Sequence, residues 1–318
     1  LAPANDPTAA HAYARYRADE SRYDLTPQEF QDLLKLVRDE NFFQKPTTSA
    51  PIGGARFQDK SRLYHGEFMY NFMNQIEAVN IQVGANFRRY SLFSNGTIFN
   101  EAPDDGQNFQ RINIDEYGAY VQLTKTFAER LKLNASLRYD KNQNFEARTT
   151  PRITAVFHAD EAKKHNIRAS FQTGFRNPDT QAQYIYFPVG TNTLLGSSKE
   201  NAERYGLHEG GAYTIASYNN FVNNGGVIDG STGQIIAGDE NLLVTANIPY
   251  VGPERLKSFE IGYKGRIMNR MLVDINYYYT IYNDFIGGDD YVLKMPTTHQ
   301  NEDVDADTVY SPYVNLPD

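Results

Sequence analysis

The stretch Ile167-Arg168-Ala169-Ser170-Phe171-Gln172-Thr173-Gly174-Phe175-Arg176 alternates without a break. Ile167, Ala169, Phe171, Thr173 and Phe175 fall on one side of an extended chain. Arg168, Ser170, Gln172, Gly174 and Arg176 fall on the other, because successive side chains of a strand point to opposite faces. A strand of about 9–11 residues with one apolar and one polar face is long enough for a tilted membrane crossing. It also suits a soluble β-sandwich, where somewhat shorter strands bury one face on a core.

Outward from this stretch the same period recurs. Val79, Ile81, Val83, Ala85 and Phe87 alternate with Asn80, Gln82, Gly84, Asn86 and Arg88, and Leu131, Leu133, Ala135, Leu137 and Tyr139 with Lys132, Asn134, Ser136, Arg138 and Asp140. Phe259, Ile261 and Tyr263 face away from Ser258, Glu260, Gly262 and Lys264, and Val273, Ile275, Tyr277, Tyr279 and Ile281 face away from Asp274, Asn276, Tyr278 and Thr280. The pattern predicts strands near 62–74, 78–91, 111–127, 131–141, 146–158, 166–176, 255–266 and 271–286.

The connections discriminate between the two architectures. The links after the first, third, fifth and seventh strands are short: Gln75-Ile76-Glu77, Ala128-Glu129-Arg130, a stretch around Ala159 to His165, and Met268-Asn269-Arg270. Those after the second, fourth, sixth and eighth are longer or variable: 92–110, 142–145, 177–254 and everything beyond Gly287. In an up-and-down barrel, odd and even links lie on opposite rims, so this parity predicts one short-turn rim and one long-loop rim, the asymmetry of outer-membrane barrels. The 142–145 link is short for its rim. The 177–254 link is too long for a structureless connection and is expected to fold over the rim.

Composition narrows the function. The 318 residues carry a formal charge of −8, with 39 Asp+Glu against 31 Lys+Arg and no basic block. That balance argues against a nucleic-acid partner or an electrostatic membrane anchor. Without Cys there is no disulfide scaffold, thiolate metal site or cysteine nucleophile. A mean hydropathy of −0.60 and the lack of any apolar run near the roughly 20 residues of a spanning helix leave a transmembrane barrel open, since alternation averages out. The 23 Tyr, 19 Phe and 28 Asn suit aromatic girdles, a polar lumen and long loops.

Toward the N-terminus, Thr26-Pro27-Gln28-Glu29 forms a capping start before Phe30, Leu33, Leu34, Leu36 and Val37 at helical spacing, which predicts one short helix over 27–39 packed within a loop or on a domain face. By parity this segment lies on the long-loop side. The start at Leu1 without Met and the loop-like end Tyr313-Val314-Asn315-Leu316-Pro317-Asp318 are expected of an internal stretch of a longer chain.

Catalytic constellations are not found. His11, His65, His158, His165, His208 and His299 occur singly, with no HExxH motif, nucleophile elbow or Walker loop, so no enzyme activity is expected. Asp289 and Asp290 read as solvated loop charge. Asp303, Asp305 and Asp307, with Glu302 beside them, are the one stretch with calcium-site character. Thr308 and Val314 stand where an EF-hand needs Gly and Glu, and a solvated acidic loop is the competing reading. Tyr184, Tyr186 and Phe187 either stack on a sugar or peptide ligand or hold the long loop together. Arg88, Arg138, Arg168, Lys132 and Asp140 read as a hydrated interior wall.

Two phrases carry a resemblance. One is Ile167-Arg168-Ala169-Ser170-Phe171-Gln172-Thr173-Gly174-Phe175-Arg176-Asn177-Pro178, followed by a long polar loop. The other is Val251-Gly252-Pro253-Glu254-Arg255-Leu256-Lys257-Ser258-Phe259-Glu260-Ile261-Gly262-Tyr263-Lys264. Together with Tyr117-Gly118-Ala119-Tyr120-Val121-Gln122 and Leu137-Arg138-Tyr139-Asp140, they make the chain resemble the TonB-dependent outer-membrane receptors, particularly those of Bacteroidota, over about Arg62 to Ile286. Physically the phrases mark boundaries: Pro178 ends one strand and Pro253 precedes the next, with Arg176 placed to pair with Glu254 or Glu260 at the rim.

The resemblance implies an all-β, antiparallel up-and-down transmembrane barrel, of which this chain would supply part of a 22-stranded whole. Residues 1–61 would be an extracellular loop segment, 62–286 barrel strands with their loops, and 287–318 a further extracellular loop. It further implies nutrient import into the periplasm (oligosaccharide, peptide or metal chelate). The implied partners are outer-membrane lipid, a TonB–ExbB–ExbD energy complex acting through a plug not recognisable in this chain, and a surface lipoprotein lid. No cofactor is implied. The competing readings are a soluble secreted β-sandwich that binds glycans and a structural or secretion-associated outer-membrane barrel.

Overall fold

The structure, a computed structural model, describes residues 6–20, 26–39, 43–44, 51–52, 58–73, 75–101, 109–189, 192–208, 210–268, 270–299 and 302–316. Residues 1–56 and 57–318 form separate units. The first holds two helices, α1 (Pro7–Asp19) and α2 (Pro27–Asp39), and a minimal hairpin of 43–44 with 51–52. α2 starts as expected, with a reciprocal capping box: Thr26 N–H donates to Glu29 Oε2 at 2.9 Å and Glu29 N–H to Thr26 Oγ1 at 3.3 Å. α1 was not expected. Asp6 caps it through the N–H groups of Thr8 and Ala9, but it buries no residue and so shows no apolar stripe to read.

The second unit is dominated by an eight-stranded antiparallel sheet whose spatial order follows the chain. Its strands are β1 (Arg62–Asn71), β2 (Asn80–Leu92), β3 (Ile112–Phe127), β4 (Leu131–Asn142), β5 (Arg148–His158), β6 (His165–Arg176), β7 (Glu254–Ile267) and β8 (Met271–Asn283). This is the up-and-down meander that the alternation predicts, with most ends within a residue or two. β1 and β8 are shorter than expected. They are the edge strands, each paired on one side only, so among the described residues the sheet is open and not a closed barrel. At the β3–β4 turn Ala128 and Glu129 both have positive φ, 45° and 59°. That is the primed-turn geometry that matches the strands' twist and allows so short a link.

Register aligns one face into apolar rows. Tyr279, Phe259, Phe171, Ile153, Ala135, Leu123 and Ile81 sit side by side across seven strands. Nothing among the described residues covers this row: Tyr279 is 56% exposed, Ile153 53%, Phe259 48% and Leu123 41%. A β-sandwich would bury such a row under a second sheet, so the sandwich reading is set aside. The opposite, polar face is the less exposed one, as on the inner side of a curved wall, and there side chains bond across strands. Asn134 Nδ2 donates to Thr124 Oγ1 at 2.9 Å, and the Ser258 and Thr280 hydroxyls meet at 2.9 Å.

The long links 177–254 and 287–318 contribute strands to a common sheet. Seven of their short strands join in one sheet, in which Asn192–Leu195 runs parallel to Val309–Asn315, while Val227–Ile228 with Ile235–Ala237 and Thr297–His299 with Glu302–Val304 form separate hairpins. Helices α3 (Thr180–Tyr184), α4 (Lys199–Arg204) and α5 (Ile215–Asn223) pack with it. The 93–101 loop adds Ile98 and Phe99, whose backbones bond to Tyr186 and Ile185. Tyr205, Leu207, Leu195, Leu293 and Tyr310 are buried in the core of this module.

Candidate functional site

The module sits on the long-link rim of the sheet, and a cavity of about 620 Å³ opens between it and the polar face. The strand ends supply Asn86 and Arg88 from β2, Glu116 from β3 and Arg138, Asp140 and Asn142 from β4. Pro178, Asp179, Thr180 and Gln183 at α3 form the module's side. α3 is pinned there because Asn144, in the short 143–147 turn, donates to Gln183 Oε1 at 2.7 Å and to the Tyr184 hydroxyl at 2.8 Å. The link that looked too short for its rim is an anchor for the module.

The polar face is organised by arginines lying across glycines. Arg138 binds Asp140, two residues along the same face, through Nε and Nη2 at 2.6–2.9 Å, and Nη2 also donates to Asn86 Oδ1 at 2.6 Å. To reach Asn86 on β2 it must cross β3, where Gly118 stands opposite both Asp140 and Asn86. A Cβ on Gly118 would be 2.6 Å from Arg138 Nη2. The device repeats lower on the wall: Arg168 crosses Gly262 to Asn276 and Asp274 on β8 while its Nε donates to Glu260 at 3.3 Å. Arg138, Asp140 and Arg168 thus lie on the polar face that the alternation predicts.

Arg176 pairs with Glu254, its direct neighbour across β6 and β7, through Nε at 2.6 Å and Nη2 at 2.8 Å. Ile286 N–H donates to the same carboxylate at 2.8 Å, tying the start of the final segment to the rim. Glu254 is buried although Arg176 is not.

The aromatic candidates turn inward. Tyr184 and Tyr186 are buried, and Phe187 packs half-buried beside the cluster of Leu92, Ile98, Phe99 and Ile114. Tyr186 stacks on His299 with ring centroids 3.4 Å apart, and His299 Nδ1 meets the Tyr205 hydroxyl at 2.6 Å. This arrangement fits the loop-holding reading, since no open ring face remains on Tyr184 or Tyr186 for a ligand. Burial, with the Arg204 charge nearby, pushes the His299 pKa down to about 3, and burial pushes the phenols of Tyr205 and Tyr310 up.

Asp303, Asp305 and Asp307 are not gathered into a calcium site. No group of three ligating side chains converges among the described residues. Asp303 lies in a two-stranded hairpin opposite Thr298, and Asp305 packs at Gly230. Asp307 takes a left-handed φ of 69°, with its pKa raised by burial and by Asp305. Sequence reading missed Glu116, Asn142, Asn144 and Gln183. The first two have a usable signal, polar residues at inward parity beside a strand end, whereas the other two become meaningful only through contacts distant in sequence.

The comparisons with known proteins agree with this geometry. The family described as TonB dependent receptor-like, beta-barrel, matches residues 3–316. A ferric enterobactin receptor (PfeA) mutant from Pseudomonas aeruginosa is similar at 12% identity and TM-score 0.50, over 81% of this chain and 31% of that one. The siderophore receptor PirA from the same organism gives 13% and 0.48, over 83% and 38%. The FrpB iron transporter from Neisseria meningitidis gives 13% and 0.43, over 80% and 31%. The chain therefore spans about a third of the solved structures it matches, and no curated protein matches it. On the family match, the chain belongs to the TonB-dependent receptor-like β-barrel family and is an outer-membrane protein.

Proposed function

We propose that the whole protein is a TonB-dependent transporter that carries a nutrient (an oligosaccharide, a peptide or a metal chelate) across the outer membrane into the periplasm, without making or breaking covalent bonds. The observation that carries this is the pairing of an uncovered apolar face with an inner face of cross-linked polar groups, roofed at one rim by a folded module. The apolar rows would contact lipid tails, the inner face would line an aqueous path, and the module would lie outside the cell and admit the ligand. Energy would come from TonB–ExbB–ExbD acting through a plug, and a surface lipoprotein would close over the module. The likeness to siderophore and enterobactin receptors supports the fold and leaves the three ligand classes level.

Deleting the gene in its own host, and separately disabling the energy complex, tests the reading. Both should abolish growth on a limiting nutrient of one class and uptake of its labelled form. Uptake that persists without the energy complex contradicts active transport and favours a structural or secretion-associated barrel.

A further inference from the structure

Arg88 on β2 and Glu116 on β3 are direct cross-strand partners on the inward face. An acid and a base so placed ordinarily close on one another. Here no hydrogen bond or ion pair joins them, and each is drawn away from the other. Arg88 Nε donates to His65 Nδ1 on β1 at 3.1 Å. Glu116 Oε1 accepts from Asn142 Nδ2 at 2.7 Å and Asn177 Nδ2 at 3.3 Å, on the opposite side. His65 accepts through Nδ1, so that contact does not neutralise the guanidinium. Both groups line the cavity beneath α3. Arg62, Lys141 and Asp179 line it too, with Arg138 and Asp140; Arg138 and Asp140 are closed on each other, Lys141 donates to the Phe145 carbonyl at 2.6 Å, and Asp179 caps α3 by accepting from Ala182 N–H at 2.7 Å.

We propose that this cavity binds zwitterionic ligands, short peptides being the class, with Arg88 receiving the carboxylate and Glu116 the ammonium group. The proposal rests on the transport reading and narrows its substrate. A simple anion would have to sit beside Glu116 and a simple cation beside Arg88. A neutral sugar would pair neither charge. A ligand carrying both charges answers both groups, and the planar guanidinium offers the fork that a carboxylate fits. The divergent hydrogen bonds to His65 and to Asn142 and Asn177 hold the two groups apart.

The test uses the full-length protein in detergent and a mixture of tri- to hexapeptides presented with free ends, with acetylated N-termini or with amidated C-termini. Retained peptide is measured by mass spectrometry, with maltohexaose as the neutral comparison. Free-ended peptides should be retained at least tenfold more than either capped set. Arg88→Gln should remove the preference for a free C-terminus alone and Glu116→Gln the preference for a free N-terminus alone, with heat-modifiable gel mobility showing that both variants are folded. Equal retention of free and capped peptides, retention of maltohexaose over peptides, no retention at all, or unchanged preferences in the variants would overturn the proposal. Energy-dependent uptake of another nutrient alongside any of these results would leave the transport reading standing, so the two fail separately.

Discussion

The guanidinium of Arg138 lies across the bare backbone of Gly118 and reaches Asn86 two strands away. Any side chain at 118 would occupy the space through which the Arg138–Asp140–Asn86 network is made. Gly118→Ala is expected to cost about 1–3 kcal/mol, as overpacking of a well-filled site does. Gly66 on β1 has nothing within 4 Å of where a Cβ would stand, and Gly66→Ala should be close to neutral. Thermal unfolding of the two variants, followed by heat-modifiable mobility, makes the comparison. Equal losses would mean that the glycine reflects strand conformation and not the arginine crossing.

The buried Glu254 carboxylate joins β6, β7 and the first residues of the final segment. Glu254→Ala should cost about 1.5–3 kcal/mol, the usual worth of hydrogen bonds to a charged group. Because Arg176 is largely exposed, Arg176→Ala should cost about 1 kcal/mol or less. Limited proteolysis within 177–253 should accelerate in the first variant more than in the second. The reverse order would show that the exposed arginine, and not the carboxylate, holds the rim.

His299 gives the module a directional response to acid. A free histidine takes up its proton near pH 6.5, whereas His299 in the folded module does so only at about 3. Between these values the unfolded chain binds more protons, so stability is level above pH 6.5 and falls as pH drops from 6.5 toward 3. Proteolysis of the module should quicken over that window. His299→Phe, which keeps a ring against Tyr186 and removes the proton site, should flatten the dependence. A rise in stability on acidification would contradict the assignment.

The sheet was legible because each strand carries its own record: alternation over about ten residues, ended by a turn of a few. Phe259 could be assigned a face without knowing its neighbours, and register then aligned it with Phe171 and Ile153. The rim module left no such record. Its strands run two to seven residues, and a parallel pairing within it joins Asn192 to Val309, with two wall strands intervening in the chain. Tyr184 and Tyr186 carried two readings, ligand stacking and loop packing, because their covering partners, Asn144 and His299, lie far away in sequence. The Arg138 crossing was similarly hidden. Gly118 in a strand reads only as a weak point until the side chain above it is seen.

In the proposed transporter the apolar face meets lipid while the polar face does not. The 318 residues contain no Trp, so Phe259→Trp and Ser258→Trp place reporters on opposite faces of β7 at one depth, read as the difference from the unsubstituted protein. With the full-length barrel in vesicles of acyl-brominated lipid, emission from position 259 should be strongly quenched and emission from 258 nearly untouched. Equal quenching at the two positions, or quenching at 258 alone, would contradict this placement of the two faces.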